Sequence, residues 1–365
     1  MSYRFEPQLA RASTIPSTYY NDPAVLKDES RAVFARTWQL AGHVEQVRER
    51  GQFFTTTVAE EPLLIVRGDD NELRAMSNVC RHRAGPVAKG SGKRASLQCG
   101  YHGWTYALDG SLRAAPEMDG IECWDRSSIA LPKFRIDSWN GLLFVNLSHD
   151  GPSLQEFLGD LAGHTFEGRL AARKDWSVNC NWKVYVDNYL EGYHIPIVHP
   201  SLFREIDYPK YRTETRVNYS IQHAPLKRPE RIRGDGQAEY FWIFPNLMLN
   251  VYPDNFSTNL IVPTGHDRTL TIFEWYFRDP DAAKKQIEET IAFSDEIQLE
   301  DIAICEAVQR GLRSSTYDAG RYSPVRENGV HHFHGLYAEA MGLKLGSHLE
   351  NQLNSSLRVS RESDG

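Results

Sequence analysis

Cys80 and His82 stand one residue apart, and after sixteen intervening residues Cys99 and His102 stand two apart. Gly85, Gly90, Gly92, Gly100 and Gly103 punctuate the segment that carries them, and Pro86 lies in its first half. A finger-type zinc site pairs cysteine with cysteine and histidine with histidine, whereas here each half supplies one thiol and one imidazole. That division suits a [2Fe–2S] centre of the Rieske kind, in which one iron takes two thiolates and the other two imidazoles. The glycines let backbone amides approach the sulfurs, and Pro86 stiffens one loop. One such residue alone would read as a buried thiol or a satisfied histidine. Four at this spacing read as a cluster site.

A cluster of this kind only moves electrons, so catalysis needs a second centre. The stretch DNYLEGYHIPIVHP supplies Asp187, Glu191, His194 and His199. If the chain from Asn181 to His194 is one helix, Glu191 and His194 share a face. Pro196 then ends that helix and His199 turns back from a loop. Two imidazoles and one carboxylate on one face of an octahedron make a non-haem ferrous site with open positions for dioxygen and substrate. The carboxylate must come from elsewhere. IQLEDIAICEAVQRGL offers Glu300, Asp301 and Glu306, and spacing does not choose among them.

CRHRAGPVAKGSG and CGYHGWTYALDG resemble the cluster-binding segment of Rieske non-haem iron oxygenases, most of all the choline, betaine and carnitine monooxygenase branch. STYYNDPAVLKDESRAVFARTWQLAGH, YFWIFPNLMLNVYPDNFSTN and SPVRENGVHHFHGLY resemble the same branch, so the likeness covers most of the chain. Gly100 departs from it, since many relatives have proline there. The resemblance implies that Asp301 joins His194 and His199 as the third iron ligand. It implies that Glu191 is a bridging carboxylate, accepting from His194 and from His102 of a neighbouring subunit in a homotrimer. The fold it implies is α+β, with a Rieske β domain inserted in a helix-grip (START-like) catalytic domain, an antiparallel sheet around a long helix. Electrons would come from NAD(P)H through a flavin or iron–sulfur reductase, pass to the cluster and then to the mononuclear Fe(II), where dioxygen is used to hydroxylate a small organic substrate. The implied substrate is a quaternary or N-methyl amine, and hydroxylation of an N-methyl group gives a carbinolamine that releases formaldehyde. An oxygenase that hydroxylates or N-dealkylates an aromatic compound is the alternative. A Rieske electron carrier would need little more than the cluster module, and a zinc-stabilised binding protein would have no redox activity. The 102 positions from His199 to Asp301 are similar to the interval in monooxygenases that lack a small second subunit.

The elements that must position these groups follow from texture. Pro23 can open a helix with Val25, Leu26, Val33 and Phe34 on its apolar side. The runs FFTTTVA, PLLIVRG and GLLFVNL then predict a small β domain over residues 38–150. The catalytic domain takes residues 1–37 and 151–365, with strands in YFWIFPNLMLNVYP, FSTNLIVPTG and TLTIFEWYF, a charged helix from about Pro280 to Leu312, and a loose tail at 351–365. Their aromatics, Tyr240, Phe241, Trp242, Phe244, Phe256, Trp275 and Tyr276, read as core, with one or two facing the iron pocket. Tyr101 and Trp104 read as shielding for the cluster; Cys123, Cys180 and Cys305 read as small buried thiols. Arg81, Arg83, Lys89, Lys93 and Arg94 form a basic collar that reads either as a solvated surface or as a patch that would steer an acidic electron donor.

At 365 residues and 41% hydrophobic composition the chain can fill a real core. A formal charge of -7 without a long basic run argues against nucleic acid as a partner. An odd, sparse set of five cysteines argues for reduced thiols or metal ligands. With no membrane span or secretory signal, the sequence points to the cytoplasm.

Overall fold

The structure, a computed structural model, describes residues 3–227, 237–252, 255–281 and 284–345. The expected loose tail at 351–365 lies outside the described residues. The chain forms two compact units, one of residues 30–164 and one of residues 1–29 with 165–365. The first is wider than the 38–150 drawn from sequence because flanking turns pack onto it. Trp38 Nε1 donates to the carbonyl of Pro152 (3.2 Å) and Trp139 Nε1 to that of Ala162 (3.3 Å).

In the first unit, β1 (Gln39–His43), β2 (Gln52–Val58), β3 (Glu61–Arg67), β4 (Leu73–Ser77), β5 (Ser91–Lys93), β9 (Lys133–Trp139) and β10 (Leu142–Asn146) build a seven-stranded antiparallel sheet in the order β1-β10-β9-β4-β3-β2-β5. Between β5 and β9 run three short strands, β6 (Leu97–Gln98), β7 (Thr105–Tyr106) and β8 (Leu112–Ala114), which form a second sheet. The unbroken apolar run of β3 has a physical cause. Leu64 and Val66 face a core that includes Cys80, Cys99 and Trp104, while Leu63 and Ile65 face a second core with Phe54 and Val145. A strand covered on both faces has no polar side to show.

The second unit is an antiparallel sheet of seven strands. They are β11 (Arg169–Val178), β12 (Arg212–Thr215), β13 (Tyr219–Pro225), β14 (Gln237–Ile243), β15 (Leu247–Val251), β16 (Asn255–Gly265) and β17 (Arg268–Phe277), in the order β11-β17-β16-β15-β14-β13-β12. Five helices of this unit matter here: α1 (Pro23–Glu29), α2 (Trp182–Tyr189), α3 (Ile195–Val198), α4 (Lys284–Leu312) and α5 (Asn328–Ala340). Alternation along β17 aims Phe273, Trp275 and Phe277 at Ile287 and Ile291 of α4, so the sheet grips the long helix through a period-two stripe. No helix among the described residues is long and apolar enough to cross a membrane.

Helix α2 departs from expectation. Asn181 caps it, its side chain accepting the Lys183 amide (3.0 Å), but the helix stops at Tyr189 rather than reaching His194. Glu191 ends it. Its carboxylate accepts the backbone N–H groups of Tyr193 and His194, satisfying amides that a continuing helix would have bonded to its own carbonyls. Pro196 also has the opposite role from the one expected, since it sits in the first turn of α3 and begins that helix.

Candidate metal centres and the active-site cavity

The turn after α2 carries Glu191 and His194, His199 follows α3, and α4 brings Asp301 across from the far side of the unit. The Nε2 atoms of His194 and His199 lie 3.1 Å apart, and Asp301 Oδ1 lies 3.0 Å from the second and 3.9 Å from the first. Bonds of about 2.1 Å at right angles place neighbouring donors about 3 Å apart, so two of the three separations match one face of an octahedron and the third, between His194 and Asp301, is wider. Both Nδ1 atoms turn away from that face onto carboxylates, His194 to Glu191 and His199 to Glu300, each at 2.6 Å. Such partners fix the ring and its tautomer. Burial pushes the His199 imidazole down, but its bonds to Asp301 and Glu300 outweigh this and hold it above its ordinary value. A cation at Nε2 would take the place of that proton.

In the first unit each cluster loop closes on itself. Cys80 N–H donates to the carbonyl of Gly85 (2.8 Å) and Cys99 N–H to that of Trp104 (2.9 Å). A side chain at Gly85 would bring Cβ within 3.1 Å of Cys99 Sγ, so this glycine serves close approach, whereas Gly90 and Gly100 face open space. Tyr106 O–H contacts Cys80 Sγ at 3.2 Å, and the amides of Tyr101 and His102 point at Cys99 Sγ. Burial raises the Cys99 thiol, and its neighbour Cys80 raises it further. Partial desolvation lowers the exposed His102 imidazole, and the charges of His82 and Arg83 lower it further. His82 stacks on Trp104 (4.9 Å between centroids), its buried Nδ1 has no hydrogen-bond partner, and its ring lies 4.6 Å from that of His102. Two thiols together and two imidazoles together is the donor set of a two-iron cluster. A single tetrahedral zinc would draw all four donors within about 4 Å. Among the described residues only His194, His199 and Asp301 gather three ligand atoms within 4.8 Å, so the four cluster residues do not converge on one point.

Sequence reasoning left some of this unseen. Glu300 was visible beside Asp301, and the structure makes it the partner of His199. Glu306 instead accepts from the backbone and side chain of Asn179 (3.0 and 2.8 Å), outside the metal site. Asn188, which donates to Asp301 Oδ1 at 2.6 Å, and Tyr106, which meets Cys80 across 26 positions, gave no signal in spacing. Of the three cysteines read as buried, Cys123 is exposed, held in a surface turn at φ 54°. Trp104 is buried as a shield should be, but Tyr101 is 58% exposed and covers less.

A cavity of about 600 Å³ opens beside His194, His199 and Asp301. Tyr240, Tyr252, Phe273 and Trp275 give it aromatic walls, and Glu205 adds a carboxylate. Much of its polar lining is already paired. Tyr189 O–H donates to Asn250 Oδ1 (3.0 Å), Asn250 Nδ2 to Ser257 Oγ (3.0 Å), and Tyr211 O–H to Gln222 Oε1.

Residues 37–125 match the family described as Rieske [2Fe-2S] domain, and residues 166–343 match Ring hydroxylating alpha subunit (catalytic domain). The chain is 35% identical to the chloroplastic choline monooxygenase of Arabidopsis thaliana, over 91% of this chain and 84% of that protein. It is 30% identical to the carnitine monooxygenase oxygenase subunit of Escherichia coli (strain K12), over 90% and 94%. The crystal structure of the quaternary ammonium Rieske monooxygenase CntA in complex with L-carnitine superposes with a TM-score of 0.82 at 29% identity, covering 92% of this chain and 97% of that one. Domain order and the two groups of candidate ligands are consistent with these likenesses: the chain belongs to the Rieske non-haem iron oxygenases, as an oxygenase subunit with a [2Fe–2S] cluster and a mononuclear iron.

Proposed function

We propose that the protein hydroxylates a small quaternary or N-methyl amine, with Cys80, His82, Cys99 and His102 holding the cluster and His194, His199 and Asp301 the catalytic iron. One observation carries the reading: the three ligand atoms meet at the edge of a cavity with aromatic walls and a carboxylate. When bound, the cluster supplies single electrons and the ferrous ion activates dioxygen. The chain does the rest. Aromatic faces of the cavity attract an alkylammonium group and Glu205 balances its charge. Asn188 steadies Asp301, and Glu191 and Glu300 hold the two imidazoles.

We assign Glu191 the further role of accepting from His102 of a neighbouring subunit in a homotrimer. Support comes from its place against His194 and from the exposure of His102. Electrons would arrive from NAD(P)H through a flavin or iron–sulfur reductase, drawn to the exposed Arg81, Arg83, Lys89, Lys93 and Arg94. Cys123, Cys180 and Cys305, outside the cluster site, are unbridged thiols that suit the reducing cytoplasm. The test is oxygen uptake and formaldehyde release across a panel of N-methyl and quaternary amines with a reductase. Substrate-dependent uptake that vanishes in Asp301→Ala, while the cluster spectrum persists, supports the proposal; uptake unaffected by that change sinks it.

A further inference from the structure

We propose that Glu300 is a positioning residue whose carboxylate sets the donor strength of His199 toward the catalytic metal. The inference rests on the iron-site reading above. His199 is 2% exposed, and both of its ring nitrogens are committed. Nε2 faces Asp301 at 3.0 Å and His194 at 3.1 Å, while Nδ1 meets Glu300 Oε2 at 2.6 Å. Glu300 and Asp301 are consecutive on the 29-residue helix α4. Successive side chains on a helix diverge by about 100°, and glutamate reaches one methylene further. One step of a rigid helix therefore delivers an acid to each side of a single imidazole. With Nδ1–H donating to a carboxylate, the ring is fixed as the tautomer whose Nε2 lone pair is free, and the neighbouring negative charge makes that lone pair a stronger donor.

The two histidines differ in how they are held. Glu191 belongs to the same turn as His194 and also binds backbone amides of that turn. Glu300 makes its bond across 101 positions, so it also ties α4 to the loop that bears His199. Its side chain is 28% exposed, so replacing it leaves no buried charge stranded.

Glu300→Gln keeps size and an acceptor oxygen while removing the charge, and Glu300→Ala removes both. Ferrous affinity is read anaerobically on the full-length protein by competition with a chelator, beside the visible spectrum of the cluster and the thermal transition. Both variants are expected to bind ferrous ion about 10- to 100-fold more weakly, with cluster spectrum and transition unchanged. Wild-type affinity in Glu300→Gln would overturn the proposal, because an uncharged acceptor would then suffice. If the wild-type protein itself takes up no iron beyond the cluster, the iron-site reading fails instead, and the two failures are told apart.

Discussion

At the residue scale, Asp301 is the group on which two kinds of contact converge. Its Oδ1 accepts from Asn188 at 2.6 Å and lies 3.0 Å from His199 Nε2, so the oxygen proposed as ligand is also the one that Asn188 supports. Removing a group that steadies a ligand typically weakens metal binding or activity about 10- to 100-fold. Asn188→Ala is expected to fall in that range while Asp301→Ala loses the iron outright, both judged by iron content against an unchanged cluster spectrum. A loss in Asn188→Ala as complete as that in Asp301→Ala would mean Asn188 is itself indispensable to the site. Residues of this kind divide by how they can be read. Cys80, His82, Cys99 and His102 stand out in the sequence because each of two short loops offers one thiol and one imidazole, the donor pattern a Rieske cluster needs. The choice of Asp301 over Glu300 and Glu306 came from resemblance alone, since three acids on one helix look alike until the opposite wall is present. Asn188 and Tyr106 were illegible because their partners are supplied by tertiary contacts.

At the scale of elements, the site depends on how α2 is anchored and where it stops. Lys183 and Glu29 are both fully buried and joined at 2.5 Å, with Trp182 Nε1 and Tyr337 O–H donating to the same carboxylate at 2.7 Å. Burial alone lowers the Lys183 ammonium, and the charge of Glu29 opposes that. Breaking such a pair strands a charge, so Lys183→Met is expected to destabilise the protein by about 3 to 5 kcal/mol in urea unfolding. Little or no loss would show that the pair is replaceable by apolar packing. At the other end of α2, a Cβ on Gly329 of α5 would land on the carbonyl oxygen of Leu190, the residue before Glu191. Gly329→Ala therefore pushes α5 from the turn that carries Glu191 and His194, at a cost of about 1 to 3 kcal/mol. Iron binding should weaken with it, which a stability loss elsewhere would not produce. The β-rich run TLTIFEWYF marks β17, whose buried positions alternate with half-buried ones up to Trp275 before the last three residues are all covered. The helix expected from sequence overran α2 because the stop is set by a side chain, Glu191, that competes for amides, and hydrophobic periodicity carries no record of such competition.

At the scale of the whole molecule, two metal sites of different character predict two steps of metal loss. On the proposed assignment the cluster's two thiolates, Cys80 and Cys99, lie packed in a core with Trp104 and Leu108, whereas the ferrous ion would sit among three donors at the edge of an open cavity. Mild chelation should remove about one iron in three and abolish activity while the brown colour stays, and ferrous salt should restore turnover. Loss of colour in step with loss of activity would contradict the assignment of separate sites. The cavity makes a further demand on the substrate. Its described lining includes Glu205 and the rings of Tyr240, Tyr252 and Trp275, with Tyr240 and Tyr252 set at 78° to each other, and no lysine or arginine is among the lining residues described. Faces at that angle can meet a tetrahedral cation from two sides, and each such contact contributes about 0.5 to 2 kcal/mol. A trimethylammonium compound and its neutral tert-butyl isostere have the same shape and differ only in charge. The cation should therefore show a KM lower by about 2- to 30-fold for each ring that engages it, at a similar kcat, with Tyr240→Leu narrowing the gap. Equal KM values for the pair would assign the rings to shape rather than charge, and would turn the search toward the aromatic substrates that the same walls could hold.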